Sequence, residues 1–416
     1  MAGEDLLSTA EVAHRLGVKP ATVYAYVSRG LLERDPASSH RASRFRADAV
    51  DRLAHRSRHP NRSGALEVTV ETGLTLLDPA GRLYYRGHDV IELARYRSFE
   101  DVVGLLWDGP TPSPWELDPP GGAQIAGLAR LTPADASPFD LIPHAVAALA
   151  TSDAGRGDRR PAAVRRTGAR IFAGVLGLLA PDAATADRSA ARRLWAAFSA
   201  RRPRPAEVAT LNAALICLAD HELAASTLAA RVAASAWADP YRVVLAGLGP
   251  IGGSLHGGAA LEVAELLARV ASPADAFATL EGYVSAGANA TTGAYRTGGA
   301  NLAAGGVPGF GHRVYRDRDP RADHLLGRLE AVASVPGSVA RTRSVLEAAA
   351  TLGVPAPNVD FALAALLAAM DLPPTAGPTI FAVARIAGLL AHALEEYPHR
   401  LRFRPRATYV GPAPPA

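Results

Sequence analysis

The strongest constraint on this fold is the length of its alanine- and leucine-rich runs, such as residues 361–370 and 378–394. Both residues lose little side-chain freedom in a helix. Half-buried strands need period-two alternation, which is scarce here, and aromatic residues make up only 6% of the 416 positions. The expected fold is therefore all-α. A chain this long exceeds one ordinary core, so two or three domains are expected.

Three polar interruptions stand out against that background. Residues 309–315 read Gly-Phe-Gly-His-Arg-Val-Tyr, and Asp319-Pro320-Arg321 follows. Residues 255–258 read Leu-His-Gly-Gly, and residues 358–361 read Asn-Val-Asp-Phe. Glycines let a backbone approach a ligand closely, so His256 and His312 are candidates for contact with a substrate carbonyl. Asp360 opens an apolar helix. It reads either as a helix cap or as a partly desolvated carboxylate basic enough to deprotonate a carbon acid. Arg313 and Arg321 add positive charge suited to a carboxylate or phosphate, with an exposed basic loop as the structural alternative. His221 and Arg385 each fall within an apolar helical pattern. A buried guanidinium needs an anion, either a protein carboxylate such as Asp220 or Glu222, or a bound one.

The single Cys217 lies in an apolar run and reads as a buried, inert thiol. No cysteine cluster suggests zinc, and the family resemblance given below implies no metal. The N-terminus lacks an uninterrupted apolar signal region and no apolar run approaches membrane-spanning length, which leads to the expectation of a cytoplasmic protein without membrane contact.

Formal charge is unevenly placed. Residues 1–62 hold about 11 Lys/Arg against about 7 Asp/Glu, which accounts for the whole net charge of +4. This segment has a capping box at Ser8–Glu11 and a short helix carrying Val12, Ala13 and Leu16. A second helix opens at Lys19-Pro20, and an Arg-rich stretch runs over 34–46. Helix, tight turn, helix and basic wing resemble a winged helix-turn-helix of the MerR/excisionase type. That resemblance implies DNA contact through Thr22 and Tyr24 of the second helix and through Arg29, Arg41, Arg44 and Arg46 at phosphates. The alternative is a solvated basic interaction module.

Further along, a strand or extended arm is expected at 66–72, and one long apolar helix, kinked or straight, over 205–236 with His221 near its middle. The last helix is expected over 378–396. From about 66 to 413 the chain resembles a citrate synthase. The resemblance rests on Arg82-Leu83-Tyr84-Tyr85-Arg86-Gly87, Ala219-Asp220-His221-Glu222-Leu223, Ser254-Leu255-His256-Gly257-Gly258-Ala259, residues 309–315, Asp319-Pro320-Arg321-Ala322, Asn358-Val359-Asp360-Phe361, Phe381-Ala382-Val383-Ala384-Arg385 and Arg404-Pro405-Arg406, in the family's order. It implies a large and a small helical domain, with the winged module at 1–58, a linker at 59–65, the large domain at 66–258, the small domain at 259–370, and the large domain resuming with a C-terminal arm at 371–416.

The roles that this resemblance implies are as follows. Asp360 takes a proton from the acetyl-CoA methyl group, His256 stabilises the enol or enolate, and His312 acts as acid on the ketone of oxaloacetate. His221, Arg321 and Arg385 hold the oxaloacetate carboxylates as three cations, and Arg404 reaches into the partner's site of a homodimer. Arg313 lies near the CoA phosphates, and no cofactor is needed beyond acetyl-CoA as substrate. Propionyl-CoA giving 2-methylcitrate is a close variant. Ala225, Ala260, Ala362 and Leu389 depart from the family's usual residues. A second reading is a DNA-binding regulator that uses the synthase body to sense a metabolite.

Overall fold

The computed structural model describes residues 6–16, 20–28, 32, 34–35, 43–47, 50, 69–78, 81–110, 115–133, 135–181, 189–253, 256–288, 306–312 and 314–405. The chain divides into two compact units between Glu71 and Thr72. The expected linker, 59–65, lies outside the described residues.

In the first unit, strand β1 (Leu6–Ser8) pairs antiparallel with β2 (Arg44–Arg46), and helices α1 (Thr9–Leu16) and α2 (Pro20–Ser28) lie between them in the chain. Ser8 and Glu11 form the expected capping box: the Ser8 amide donates to Glu11 Oε2 at 2.7 Å and the Glu11 amide to Ser8 Oγ at 3.4 Å. A small core gathers Val12, Ala13, Val23, Leu32, Phe45 and Val50. Alternation along β2 buries Phe45 and leaves Arg44 and Arg46 exposed. Tyr24 is exposed on α2, the same helix that carries Thr22. Arg29, Arg41 and the side chain of Thr22 lie outside the described residues.

Among its described residues the second unit is helical apart from a small antiparallel sheet, β3 (Thr75–Leu77), β4 (Leu83–Tyr85) and β5 (His88–Asp89). No strand forms over 69–72, which leaves the extended arm as the reading for those residues; residues 66–68 lie outside the described residues. Helices α3 (Val90–Tyr96), α4 (Phe99–Leu106), α5 (Pro119–Leu131), α6 (Pro138–Thr151), α7 (Pro161–Leu179), α8 (Ala190–Phe198) and α9 (Pro205–Leu218) follow. Next come α10 (Ala225–Ser235), α11 (Pro240–Ile251), α12 (Ala259–Ala268) and α13 (Pro273–Ala288). The series ends with α14 (Pro320–Leu326), α15 (Leu329–Val332), α16 (Ser338–Thr351), α17 (Val359–Ala369) and α18 (Ala376–Glu396).

Helix α18 is the centre of the packing, touching α6, α7, α9, α10, α11 and α17. Contrary to the expectation from sequence, its 21 residues are long and apolar enough to span a membrane; 94% of that apolar stretch is buried inside the protein. Its apolarity on all sides is thus that of a core helix.

The one long helix expected over 205–236 is two. Helix α9 ends at Leu218 and α10 starts at Ala225. Asp220 breaks the pattern by accepting the Glu222 amide at 3.2 Å, and Glu222 takes a positive φ of 53°. His221 therefore sits in an irregular corner between two helices, free to point where a helical residue would not. Cys217 is buried as expected, and burial pushes its thiol up to about 12.

Candidate active site

Four chain segments converge on one region. The first is the corner at His221. Its Nε2 lies 3.2 Å from the Tyr315 hydroxyl, and its ring stands edge-on to His312 at 5.2 Å between centroids. Burial drives the His221 pKa well down, and the charges of Arg321 and Arg385 push the same way, so the imidazole is neutral. The expectation of three cations is corrected here: the chain brings two guanidiniums and one neutral ring to this point.

The second segment is the turn after α11 that carries His256. Ser226, at the start of α10, places Oγ 2.8 Å from His256 Nε2. The His256 ring meets Phe381 edge-on at 5.4 Å. Burial and Arg385 lower its pKa to about 4, leaving it neutral near pH 7.

The third segment holds His312 and Arg321. Gly309 has φ +81°, and a Cβ there would lie 2.6 Å from Val263 Cγ2 and 2.9 Å from Phe361 Cβ, so only glycine fits. This brings the loop down onto α17. The Gly311 amide donates to Ala356 O at 2.8 Å and the Asn358 amide to Gly309 O at 2.8 Å. His312 Nδ1 accepts the amides of Val314 and Tyr315 at 3.0 and 3.3 Å. The proton of the neutral ring must then be on Nε2, which lies 3.4 Å from Arg321 Nη2. Two donors face one point with no acceptor between them, which is the geometry that a carbonyl or carboxylate oxygen would complete. Burial, then Arg321, lowers His312 to about 4.

Asp319 orients Arg321. Its Oδ1 accepts Nε at 2.9 Å and its Oδ2 accepts Nη2 at 2.8 Å, in a pair that is almost wholly buried. Burial alone would weaken the guanidinium's charge, but Asp319 more than offsets this and raises its pKa. Asp319 Oδ2 also accepts the Val359 amide at 3.1 Å, tying Arg321 to the start of α17.

The fourth segment is α17 itself, with Asp360. The helix is capped by Asn358, whose Oδ1 accepts the amides of Asp360 and Phe361 at 3.0 and 3.3 Å. Asn358 Nδ2 donates to Gly311 O at 3.0 Å, so one amide side chain holds both the His312 loop and the helix that carries Asp360. Relieved of the capping role, the Asp360 carboxylate has no hydrogen-bond partner among the described residues. Burial raises it to about 6, against the pull of Arg321 and Arg385.

Arg385 closes the region from α18. It is 1% exposed, its Nε donates to Leu218 O at 2.9 Å, and its guanidinium lies over the Phe381 ring at 4.8 Å. Nη1 is buried without a partner. Burial works against its charge and Asp220 leads the compensation, without a direct ion pair. An unpaired buried donor of this kind calls for an anion.

Thus His221, His256, His312, Arg321, Asp360 and Arg385 come together. Arg404 is exposed on the segment after α18, with no contact to this cluster among the described residues. Arg313 lies outside the described residues. Reading the sequence assigned no site role to Ser226, Tyr315, Asp319 and Asn358, although Asp319 was an evident partner for the neighbouring arginines. The last two had a signal, since each directly precedes a helix and is a strong capping residue. Among the described residues no group of three or more His, Cys, Asp or Glu side chains is placed to hold a metal ion.

The fold is helical, and the site gathers imidazoles, guanidiniums and one buried carboxylate in a single region. Residues 65–406 match the model of the citrate synthase C-terminal domain, and residues 6–58 match a helix-turn-helix domain. A citrate synthase of Haloferax volcanii is 33% identical over 373 residues, covering 83% of this chain and 94% of the relative. A citrate/2-methylcitrate synthase of Bacillus subtilis is 27% identical over 370 residues, covering 83% and 95%. The citrate synthase of Thermoplasma acidophilum, solved as a ternary complex with carboxymethyl coenzyme A and oxaloacetate, superposes with a TM-score of 0.66 at 28% identity, covering 84% of this chain and 96% of that one. The chain belongs to the citrate synthase family, and it is an enzyme of the citrate synthase type with a helix-turn-helix domain at its N-terminus.

Proposed function

We propose that the protein condenses acetyl-CoA with oxaloacetate to give citrate and CoA, and that the six converging side chains carry out the reaction. The observation that carries this reading is Asp360: a carboxylate without hydrogen-bond partners among the described residues, raised to about 6, in the field of Arg321 and Arg385, which also act on the two imidazoles. Such a group is largely ionised at pH 7 yet far more basic than an ordinary aspartate.

In this reading Asp360 removes a methyl proton from acetyl-CoA. Ser226 donates its hydroxyl to His256 Nε2, which leaves the ring proton on Nδ1 to stabilise the enolate oxygen. The enolate carbon attacks the ketone carbon of oxaloacetate. His312 Nε2–H and Arg321 Nη2 meet the ketone oxygen, and His312 supplies the proton as the alkoxide forms. Water then cleaves the citryl-CoA thioester. Arg321 and Arg385 bind carboxylates, with His221 as a neutral partner beside Tyr315. Arg313 contacts the CoA phosphates, and Arg404 completes the site of the partner subunit in a homodimer.

Propionyl-CoA is a second candidate acyl donor, since the Bacillus relative carries the 2-methylcitrate name. A thiol-release assay with each acyl-CoA plus oxaloacetate, with the product identified by mass, tests both. Release of CoA with neither donor would remove the catalytic reading. A regulator that senses a metabolite is the competing reading, favoured by the helix-turn-helix match and by exposed Arg44 and Arg46 on β2. Specific DNA binding without turnover would select it.

A further inference from the structure

The mechanism above leaves a largely buried set of charged side chains behind Arg385 unused. Helix α18 presents Arg385, Gly388 and His392 along one face, each to a successive residue of the corner before His221. Arg385 Nε donates to Leu218 O, the Gly388 amide donates to Ala219 O at 3.1 Å, and His392 Nε2 lies 3.3 Å from Asp220 Oδ2. The close approach requires Gly388, because a Cβ there would fall 2.5 Å from Ala219 O. Asp220 Oδ2 also accepts Thr75 Oγ1 at 2.5 Å, and Asp220 itself is 0% exposed.

His392 is held from its other side. Arg231 on α10 donates Nη1 to His392 Nδ1 at 2.6 Å, which fixes the proton on Nε2, pointing at Asp220. Arg231 is anchored in turn by Glu396 Oε2 at 2.9 Å and Glu395 Oε2 at 2.8 Å. The contacts thus run from two carboxylates through a guanidinium and an imidazole to Asp220, the neighbour of His221 in the chain and the leading countercharge to Arg385.

We propose that His392, oriented by Arg231, is a positioning residue for the oxaloacetate end of the site: its Nε2–H holds Asp220, and Asp220 sets the place of both His221 and Arg385. This rests on the oxaloacetate reading of that site. Three buried atoms of the set, Asp220 Oδ1, Arg385 Nη1 and Glu396 Oε1, have no partner, and Arg385 Nη1 is the one that belongs to a side chain of the site. A network that only stabilised the core would pair every atom, or be replaced by apolar packing at little cost.

The test separates the two contacts of the ring. His392→Gln keeps a donor near the Nε2 position, and His392→Asn keeps an acceptor near Nδ1 for Arg231 but loses the donor to Asp220. The Asn variant is expected to weaken oxaloacetate binding at least tenfold, by calorimetry and in KM, with KM for acetyl-CoA changed less than twofold. The Gln variant is expected to stay within threefold of the unaltered protein in both. Equal oxaloacetate affinity in the Asn variant, or equal losses in both variants, overturns the proposal. Should the Asn variant not fold, Thr75→Val removes the hydroxyl donor to Asp220 Oδ2 and leaves His392 and the Glu222 amide in place; a loss of threefold or more supports the proposal and no change overturns it. Calorimetry keeps the outcomes apart. An unaltered protein that binds no oxaloacetate overturns both the site reading and this one. One that binds without turnover ends the synthase reading, and the binding ratios still decide the role of His392.

Discussion

Replacing Asp360 with Asn should abolish turnover and make the protein more stable. The carboxyl is raised from 3.8 to about 6 in the folded chain, chiefly by burial. Its ionisation is therefore harder in the folded state than in the unfolded one. Below about pH 4 both states hold the proton and the group costs nothing. As pH rises toward 7 the full penalty appears, about 2 units at 1.36 kcal/mol each, or about 3 kcal/mol. The side chain keeps some solvent contact, so screening reduces this to roughly 1–2 kcal/mol. Asparagine has nearly the same shape and no charge to bury.

Urea unfolding of both proteins at pH 7 and at pH 4 measures the difference. The Asn variant should gain roughly 1–2 kcal/mol at pH 7 and close to nothing at pH 4. Thiol release should fall at least about a thousandfold, since no other carboxylate takes over the proton. An unfolded variant cannot mimic this pairing of lost activity with gained stability. The same ionisation should shape the rate. At saturating oxaloacetate, kcat/KM for acetyl-CoA should drop about tenfold between pH 7 and pH 5, with the break at or above 6 because a bound dianion opposes ionisation further. A variant less stable than the parent at pH 7, or a flat rate profile down to pH 5, would refute the argument that Asp360 is a desolvated base.

Other perturbations probe separate parts of the site. Ser226→Ala removes the 2.8 Å partner of His256 and should lower kcat about 5- to 10-fold, the worth of one hydrogen bond, with KM for oxaloacetate unchanged by steady-state kinetics. Arg385→Met removes charge-assisted bonds to a carboxylate and should raise KM for oxaloacetate about 10- to 100-fold, read in the same assay. If the N-terminal unit binds DNA, full-length protein should shift a duplex from upstream of its reading frame in a gel; Arg44→Ala with Arg46→Ala should lower the salt slope by about 2, and an unchanged slope would exclude phosphate contact by β2.

The all-helical fold was legible because alanine and leucine leave few alternatives over such long runs, and because Pro and Gly mark most helix ends. His256, His312 and Asp360 were legible because each interrupts an apolar stretch beside glycine or at a helix start. The break at His221 was not, because residues 205–218 and 225–235 share one apolar pattern and only the tertiary bonds of Asp220 part them. Cap assignment stayed open for a similar reason: both Asn358 and Asp360 can cap, and the choice depends on Asn358 also reaching Gly311 O, a contact 47 residues away. Arg231 and His392 carried the same signal as His221 and Arg385, polar groups inside apolar helices. Their partners lie 161 residues apart in the chain, and no spacing rule links them.

Charge balance leads to a further test. Oxaloacetate brings two negative charges. Within one chain the site offers Arg385 and an Arg321 already paired with Asp319, while His221, His256 and His312 are neutral. Among the described residues, and even before the carboxylates of Asp360 and Asp220 are counted, the site thus falls at least about one positive charge short of the dianion. On the proposed reading Arg404 of the partner subunit supplies it. Mixing an inactive Asp360→Asn protein with an inactive Arg404→Ala protein, after dissociation and reassociation, then places one intact site in every mixed dimer. Random pairing makes half of the dimers mixed, and each has one intact site of two, so activity should return to about one quarter of the parent value. Activity that stays at the mean of the two variants would show that each chain completes its site alone, and the missing charge would have to be sought within the same chain.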